Sequence, residues 1–260
     1  MHSKFKPFTM RKILGWLLAA VVVISCNNEK KGGEKETQKP DTNATGEIKP
    51  PQPPSGAFLE KMLGSYVGVF GNNKITLLII KVEGDSIMGR SIVGGNNRPF
   101  AGTFIQKDME YFITAKEPGD HPDDGAFSFS IREDQPDSVR GSWKPNDPKK
   151  NEKFYTLGRR KFEYNPAVGD YPEASQRLLK PKDVENMYKE DLEFMRNEIF
   201  ARHGYCFKKK NLRQQFEPQD WYVPNTVDIR GFLTDIEKKN IELIKRYEKY
   251  ADEYGDEYGR

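Results

Sequence analysis

"GSYVGVFGNNKITLLIIKVEGDSIMGRSIVGG" (residues 64–95) is three apolar runs interrupted by "GNN" at 71–73 and "EGD" at 83–85, and it ends on two glycines. Short runs rich in Val, Ile and Tyr, broken by Gly, Asn and Asp, are hairpin chemistry, because those turn residues tolerate the backbone angles of a tight reversal. The pattern continues through "RPFAGTFIQ" (98–106), "MEYFITA" (109–115), "AFSFSI" (126–131), "SVRGSW" (138–143) and "KFYTLGR" (153–159), making eight candidate strands. Phe127, Phe129 and Ile131 fall on one face of their strand and Ser128 and Ser130 on the other, the alternation of a half-buried sheet. Gly68, Gly89, Gly102 and Gly141 lie inside strands, where they permit the sharp coiling of a small barrel. Tight connections between consecutive strands predict an antiparallel up-and-down β-barrel or meander over residues 57–162, with an open sandwich as the alternative.

A barrel of this size fills with its own side chains or holds a small apolar ligand. Arg98, Phe100, Arg140 and Trp143 fall near strand ends, where they line a mouth or form a solvated rim. The opening "GSYVGVF" resembles the first strand of lipocalin-like and avidin-like barrels, which begin with a glycine and an aromatic at similar spacing. That resemblance covers the opening strand alone.

Upstream, "MHSKFKPFTMRK" is basic and "ILGWLLAAVVVIS" is an apolar run of thirteen residues, too short for a comfortable membrane span of ~20 residues. Residues 1–25 therefore read as a signal peptide. Cys26 follows "VIS" directly, and the coincidence of charge, apolar run and cysteine resembles a bacterial lipoprotein signal. The resemblance implies that Cys26 becomes the acylated first residue of the mature chain, with several acyl chains making the anchor permanent. Asn27 is not the aspartate that some lineages use for inner-membrane retention, so the expected address is the outer membrane of a Gram-negative bacterium, facing periplasm or cell surface. Residues 26–56 lack apolar periodicity and end in Pro50, Pro51, Pro53 and Pro54, the composition of a disordered tether.

From Tyr171 to Tyr250 the apolar period is helical. Leu192, Met195 and Ile199 form one stripe, Gly204 stands where a left-handed residue ends a helix, and Asn211 is placed to cap a short one. Thr234 and Glu237 form a capping box that opens a last helix running to about Tyr250, with Asn240 as a polar residue in its apolar stripe. Residues 251–260 are expected to be a disordered tail. The fold class is thus α+β in two domains, a β domain followed by a small all-α module.

"RNEIFARHGYCF" (196–207), "FEPQDWYVP" (216–224) and "IEKKNIELIKRYE" (236–248) occur in the order found in the YARHG domain of extracytoplasmic bacterial proteins. Residues 171–250, about a third of the chain, resemble that family. Phe200 stands where the family's tyrosine would. The resemblance implies an exported helical module with envelope association and no assigned reaction.

The residues themselves divide between two uses. Arg196, Asn197, Glu198, His203, Gly204 and Asn240 read as a structural motif: His203 and Arg196 on the core side serve the last helical carbonyls, and Glu198 and Arg202 make a flanking i, i+4 ion pair. Arg202, with its exposed side, joins Asp220, Trp221 and Tyr222 as a candidate binding face for an anionic or glycan envelope component or an envelope protein.

Nothing supplies a nucleophile elbow, a paired histidine or a cofactor motif, so no catalytic residue, metal or cofactor is assigned and an enzyme is not expected; a hydrolase using His203 is the third reading, after the binding module and the apolar-ligand carrier. Cys206, the other of two cysteines, is expected to be buried. The 42 basic and 39 acidic residues are interleaved, for a net charge of +3, and predict no nucleic-acid partner. The expected partners are a lipid bilayer through Cys26 and an envelope component through the helical module.

Overall fold

In the computed structural model, which describes residues 56–254, each apolar run of the first half is a strand: β1 (Gly64–Phe70), β2 (Asn73–Glu83), β3 (Ser86–Val93), β4 (Asn96–Lys107), β5 (Glu110–Lys116), β6 (Gly125–Arg132), β7 (Gln135–Pro145) and β8 (Lys153–Arg159). Each pairs antiparallel with the next, and β8 returns to β1 through Tyr66 opposite Arg159 and Val67 opposite Gly158. The sheet is a closed up-and-down barrel. Residues 1–55 and 255–260, which carry the expected signal peptide, Cys26, the tether and the end of the tail, lie outside the described residues.

Inward-facing residues of all eight strands, among them Tyr66, Leu77, Ile87, Phe104, Ile113, Phe129, Val139 and Leu157, fill the interior. The middle of the barrel is thus packed by the protein's own side chains. Gly102 shows how tightly β4 and β5 approach: a Cβ there would stand 2.0 Å from the Thr114 carbonyl oxygen.

One end of the barrel is plugged by a helix that the strand pattern does not reveal, α1 (Gly56–Met62). Phe58 stacks on Tyr111 at 4.8 Å and Met62 is fully buried, so this helix of about two turns belongs to the barrel core. Two apolar residues four apart are too brief a period to distinguish a helix from a strand entry. Arg159 seals the same end, donating from Nη1 to the Leu63 carbonyl (2.7 Å) and from Nη2 to the Tyr66 hydroxyl (2.6 Å). Burial pushes the Tyr66 phenol up to about 12.

The second half holds α2 (Glu173–Gln176), a 3₁₀ turn at Pro181–Asp183, α3 (Lys189–Arg202), α4 (Lys210–Phe216) and α5 (Asp235–Tyr254). Two boundaries differ from the sequence expectation. Lys209, not Asn211, precedes α4, and α5 continues past Tyr250 to Tyr254.

The helical module rests on the outer face of the first two barrel hairpins. Thr76 and Ile92, opposite each other on β2 and β3, point outward yet are each 1 % exposed, because the module covers them. Four backbone carbonyls of residues 219–224 accept the barrel's donors. Lys74 Nζ reaches Gln219 (2.8 Å) and Tyr222 (3.1 Å), Thr76 Oγ1 reaches Pro224 (2.5 Å), and Arg160 reaches Asp220.

Gly102→Ala is expected to lower stability by ~1–3 kcal/mol through forced displacement of β5, read by urea unfolding. Gly158→Ala, where a Cβ meets open space, should stay within ~0.5 kcal/mol.

Candidate functional site

α3 is buried on more sides than one apolar stripe suggests. Leu192, Met195 and Ile199 pack with Ile241, Leu243 and Ile244 of α5, whereas Ala201 joins Phe207, Leu212, Phe216 and Tyr222 in a second cluster. Between these clusters lies a polar seam. Glu198 and Arg202 meet at 2.5 Å with side chains 1 % and 0 % exposed. The pair is therefore internal, correcting both its reading as a flanking surface bridge and the exposed side assigned to Arg202.

The segment before α2 closes over that pair. Asp170 and Tyr171 donate their backbone N–H groups to the two Glu198 oxygens (2.7 and 2.8 Å), and Arg202 donates from Nε to the Val168 carbonyl (2.8 Å). Gly169, at φ +93°, makes the approach possible, since a Cβ would fall 2.2 Å from Glu198 Oε1. Burial pushes the Glu198 carboxyl up and the Arg202 guanidinium down, and the two backbone donors and the opposite charge act against that cost.

The seam continues to α5. Arg202 Nη1 donates to Ser175 Oγ (3.1 Å), and Ser175 donates to Glu237 Oε1 (2.8 Å). His203 Nε2 donates to Glu237 Oε2 (2.8 Å), while its ring stacks on Tyr164 at 4.5 Å. Glu237 also accepts from the Tyr164 hydroxyl and from Thr234, whose Oγ1 receives the Glu237 N–H to complete the capping box. Burial works against the Glu237 carboxylate, but the bonds from His203, Thr234 and Ser175 outweigh it and hold its pKa below the ordinary value. Ser175 is turned toward Glu237 rather than His203, so these three residues do not form a nucleophile–base pair.

The remaining motif residues also serve the fold. Arg196 Nε pairs with Glu248 of α5 at 2.7 Å. Asn197 Nδ2 donates to the Glu193 carbonyl one turn back (2.7 Å). Asn240 binds the Leu179 N–H and the Ala174 and Arg177 carbonyls. The last α3 carbonyls are met by the backbone N–H groups of His203, Gly204 and Tyr205, not by the Arg196 and His203 side chains expected there. Gly204, at φ +69°, makes that turn.

The candidate binding face is largely dismantled. Tyr222 is 1 % exposed, donates its hydroxyl to the Tyr205 carbonyl (2.7 Å) and sits under Lys74 of the barrel. Asp220 is exposed, but its carbonyl is held by Arg160. Trp221 is half-buried and shares a polar cleft of about 390 Å³ with Arg160, Tyr164 and the edge of Arg202. Cys206 is buried, receives the Gly95 N–H on Sγ at 3.2 Å, and has its thiol pushed up to about 11 by burial. Among the described residues no group of three or more His, Cys, Asp or Glu side chains stands where it could hold a metal ion.

A larger groove lies on the other side of α3, about 920 Å³, lined by Phe200, Tyr205, Leu212, Val227 and Leu233 with Lys208, Lys209 and Arg230 at its edges. The family resemblance did not point to it. Its signal in the sequence was the "KKK" at 208–210 directly after the apolar Tyr205–Cys206–Phe207.

Residues 169–249 match the YARHG domain family. The YARHG segment thus begins at the glycine that admits Glu198 and includes every member of the polar seam on α2, α3 and α5, while Tyr164 and the Val168 carbonyl contribute from just before it. No curated protein and no solved structure matches the chain.

Arg202→Ala is expected to destabilise the protein by ~3–5 kcal/mol, measured by thermal or urea unfolding, because it strands the buried Glu198 carboxylate. A second outcome depends on pH. Burial pushes Glu217, at the seam between α4 and the barrel, up to about 7 from 4.5. Between those values the folded state holds a proton that the unfolded state has lost, so stability falls as pH rises and the loss is complete above 7. Glu217→Gln should flatten this slope and exceed the parent at pH 8 by ~1–2 kcal/mol after allowance for partial exposure, with no difference at pH 4.5.

Proposed function

We propose that the protein is an outer-membrane lipoprotein, held by acylated Cys26, whose YARHG module binds an envelope partner without performing a reaction. The observation that carries the binding reading is the groove beside α3. Its floor is apolar and aromatic, its edges carry exposed Lys208 and Lys209, with Arg230 paired to Asp228, and the polar residues of the neighbouring motif are spent on rigidity. That combination suits a segment of an envelope protein bearing apolar and acidic side chains. The non-catalytic part rests on His203 being engaged by Glu237 and stacked on Tyr164, away from any hydroxyl nucleophile in its hydrogen-bond set. Anchoring rests on the basic stretch, the short apolar run and Cys26 in sequence. Among the described residues no helix is long and apolar enough to cross a membrane.

Cys26→Ser is expected to move the protein from the membrane pellet to the soluble fraction, and persistence in the pellet would refute the lipid anchor. For the groove, full-length Cys26→Ser protein is sedimented with washed outer-membrane vesicles and, separately, with purified cell-wall sacculi. Vesicle binding that disappears on prior proteolysis of the vesicles, and weakens about tenfold in a Lys208→Glu, Lys209→Glu variant of unchanged melting temperature, supports the reading. Binding to sacculi alone, or binding indifferent to the two reversals, refutes it.

A further inference from the structure

The barrel end opposite α1 is not plugged. It opens into a cavity of about 540 Å³, within the range of small-molecule sites. Its floor is aromatic: Phe70 meets Trp143 edge-on at 5.7 Å, and Phe127 lies 6.5 Å from Trp143. Arg98 and Trp143, two of the strand-end residues singled out from sequence, line this mouth, whereas Phe100 is packed in the core and Arg140 is exposed.

The indole is fixed. Trp143 Nε1 donates to Glu117 Oε2 (3.3 Å), and that carboxylate also accepts from the Gly125 N–H (3.0 Å) and, on its other oxygen, from Ser91 Oγ (2.8 Å). Glu117 is 7 % exposed and its acceptors are spent on holding the wall. Lys153 stands over this platform, its ammonium 4.7 Å from the Phe70 ring and 5.2 Å from Trp143. Burial and the neighbouring Lys150 push the Lys153 ammonium down, against the attraction of the two ring faces.

Charge around the cavity is unbalanced. Arg98, Lys150, Lys153, Lys208 and Arg213 face it against Glu117 and Asp123. Asp123 is already paired with Lys150, and Arg98 with Asp124 at 2.5 Å. Beneath the floor, the Tyr155 hydroxyl is buried without a hydrogen-bond partner among the described residues, and its ring abuts both Phe70 (5.9 Å) and Phe127 (6.4 Å).

The geometry points to the open barrel mouth as a binding site for a small aromatic carboxylate, its ring packed among the Phe70, Phe127 and Trp143 side chains and its carboxylate on Lys153. A neutral apolar ligand would leave the Lys153 ammonium trapped without an anion, and a bare inorganic anion would leave the platform empty. Only a molecule carrying both features uses both walls. This site meets the groove beside α3 only at Lys208, and neither reading depends on the other.

The test is calorimetric titration of full-length Cys26→Ser protein with indole-3-acetate, neutral indole and inorganic phosphate. One-to-one binding of indole-3-acetate is expected, with indole and phosphate each at least about tenfold weaker. Lys153→Met should cost about tenfold for indole-3-acetate and leave indole unchanged, and Lys153→Arg should retain most of the affinity. If Lys153→Met does not fold, Lys153→Gln takes its place. The proposal is overturned if indole-3-acetate does not bind at about 1 mM, if it binds Lys153→Met (or Lys153→Gln) as tightly as the parent, or if phosphate binds as tightly.

Discussion

Taking a guanidinium and a carboxylate out of water costs several kcal/mol for each ion, and the YARHG segment does so with Arg202 and Glu198. The geometry of the segment follows from meeting that cost. Two backbone N–H groups must reach the carboxylate, so the chain at 169–171 has to fold back over α3, and a glycine has to stand where any side chain would strike Glu198. The guanidinium must be satisfied on its other edges, which brings in Val168 and Ser175, and Ser175 brings in Glu237 and with it α5. An exposed pair such as Lys81–Glu83 contributes ~0–1 kcal/mol and constrains nothing around it. The internal pair specifies four chain segments at once.

Much of this was legible before the coordinates, for a definite reason. Hairpin turns and period-two alternation are local, so all eight strands fall within a few residues of the sequence reading, and the tight connections between them leave consecutive pairing as the simplest topology. What local pattern cannot supply is the identity of a distant cover. Arg202 reads as exposed because α3 has only one clear apolar stripe; its burial is imposed by residues 168–175 and 237, up to 35 positions away. The "DWY" turn misleads in the same way. Its aromatic and acidic types suggest a recognition surface, yet the turn is where the helical module sits on β2 and β3. Glu237 could have been recognised: it shares the Asn240–Ile241–Ile244 side of α5, and a carboxylate on a buried stripe requires a donor such as His203.

The barrel and the helical module solve opposite problems. The module spends its polar residues internally and keeps an apolar groove at its surface. The barrel fills its interior with apolar side chains and gathers its polar residues, Glu117, Arg98 and Lys153, at one mouth. Lys208 stands at the edge of both cavities, and its backbone packs against Gly95 at the β3–β4 turn, where a Cβ would fall 2.7 Å from the Lys208 Cα. The two concave surfaces are therefore separated by a single, sterically tight strip of chain.

The way the module is seated has an evolutionary corollary. Its contacts to Lys74, Thr76 and Arg160 are made by main-chain oxygens of residues 219–224, and a main-chain oxygen is present whatever side chain the position carries. Mutational drift along that turn leaves the acceptors in place so long as the turn keeps its shape. The neighbour supplies donors on an outward sheet face, and only the side-chain contacts of Arg213 with Asn73 and of Cys206 with Gly95 bind the module to particular residues. A domain with a carbonyl-studded docking strip of this kind is suited to being transferred between unrelated hosts by gene fusion.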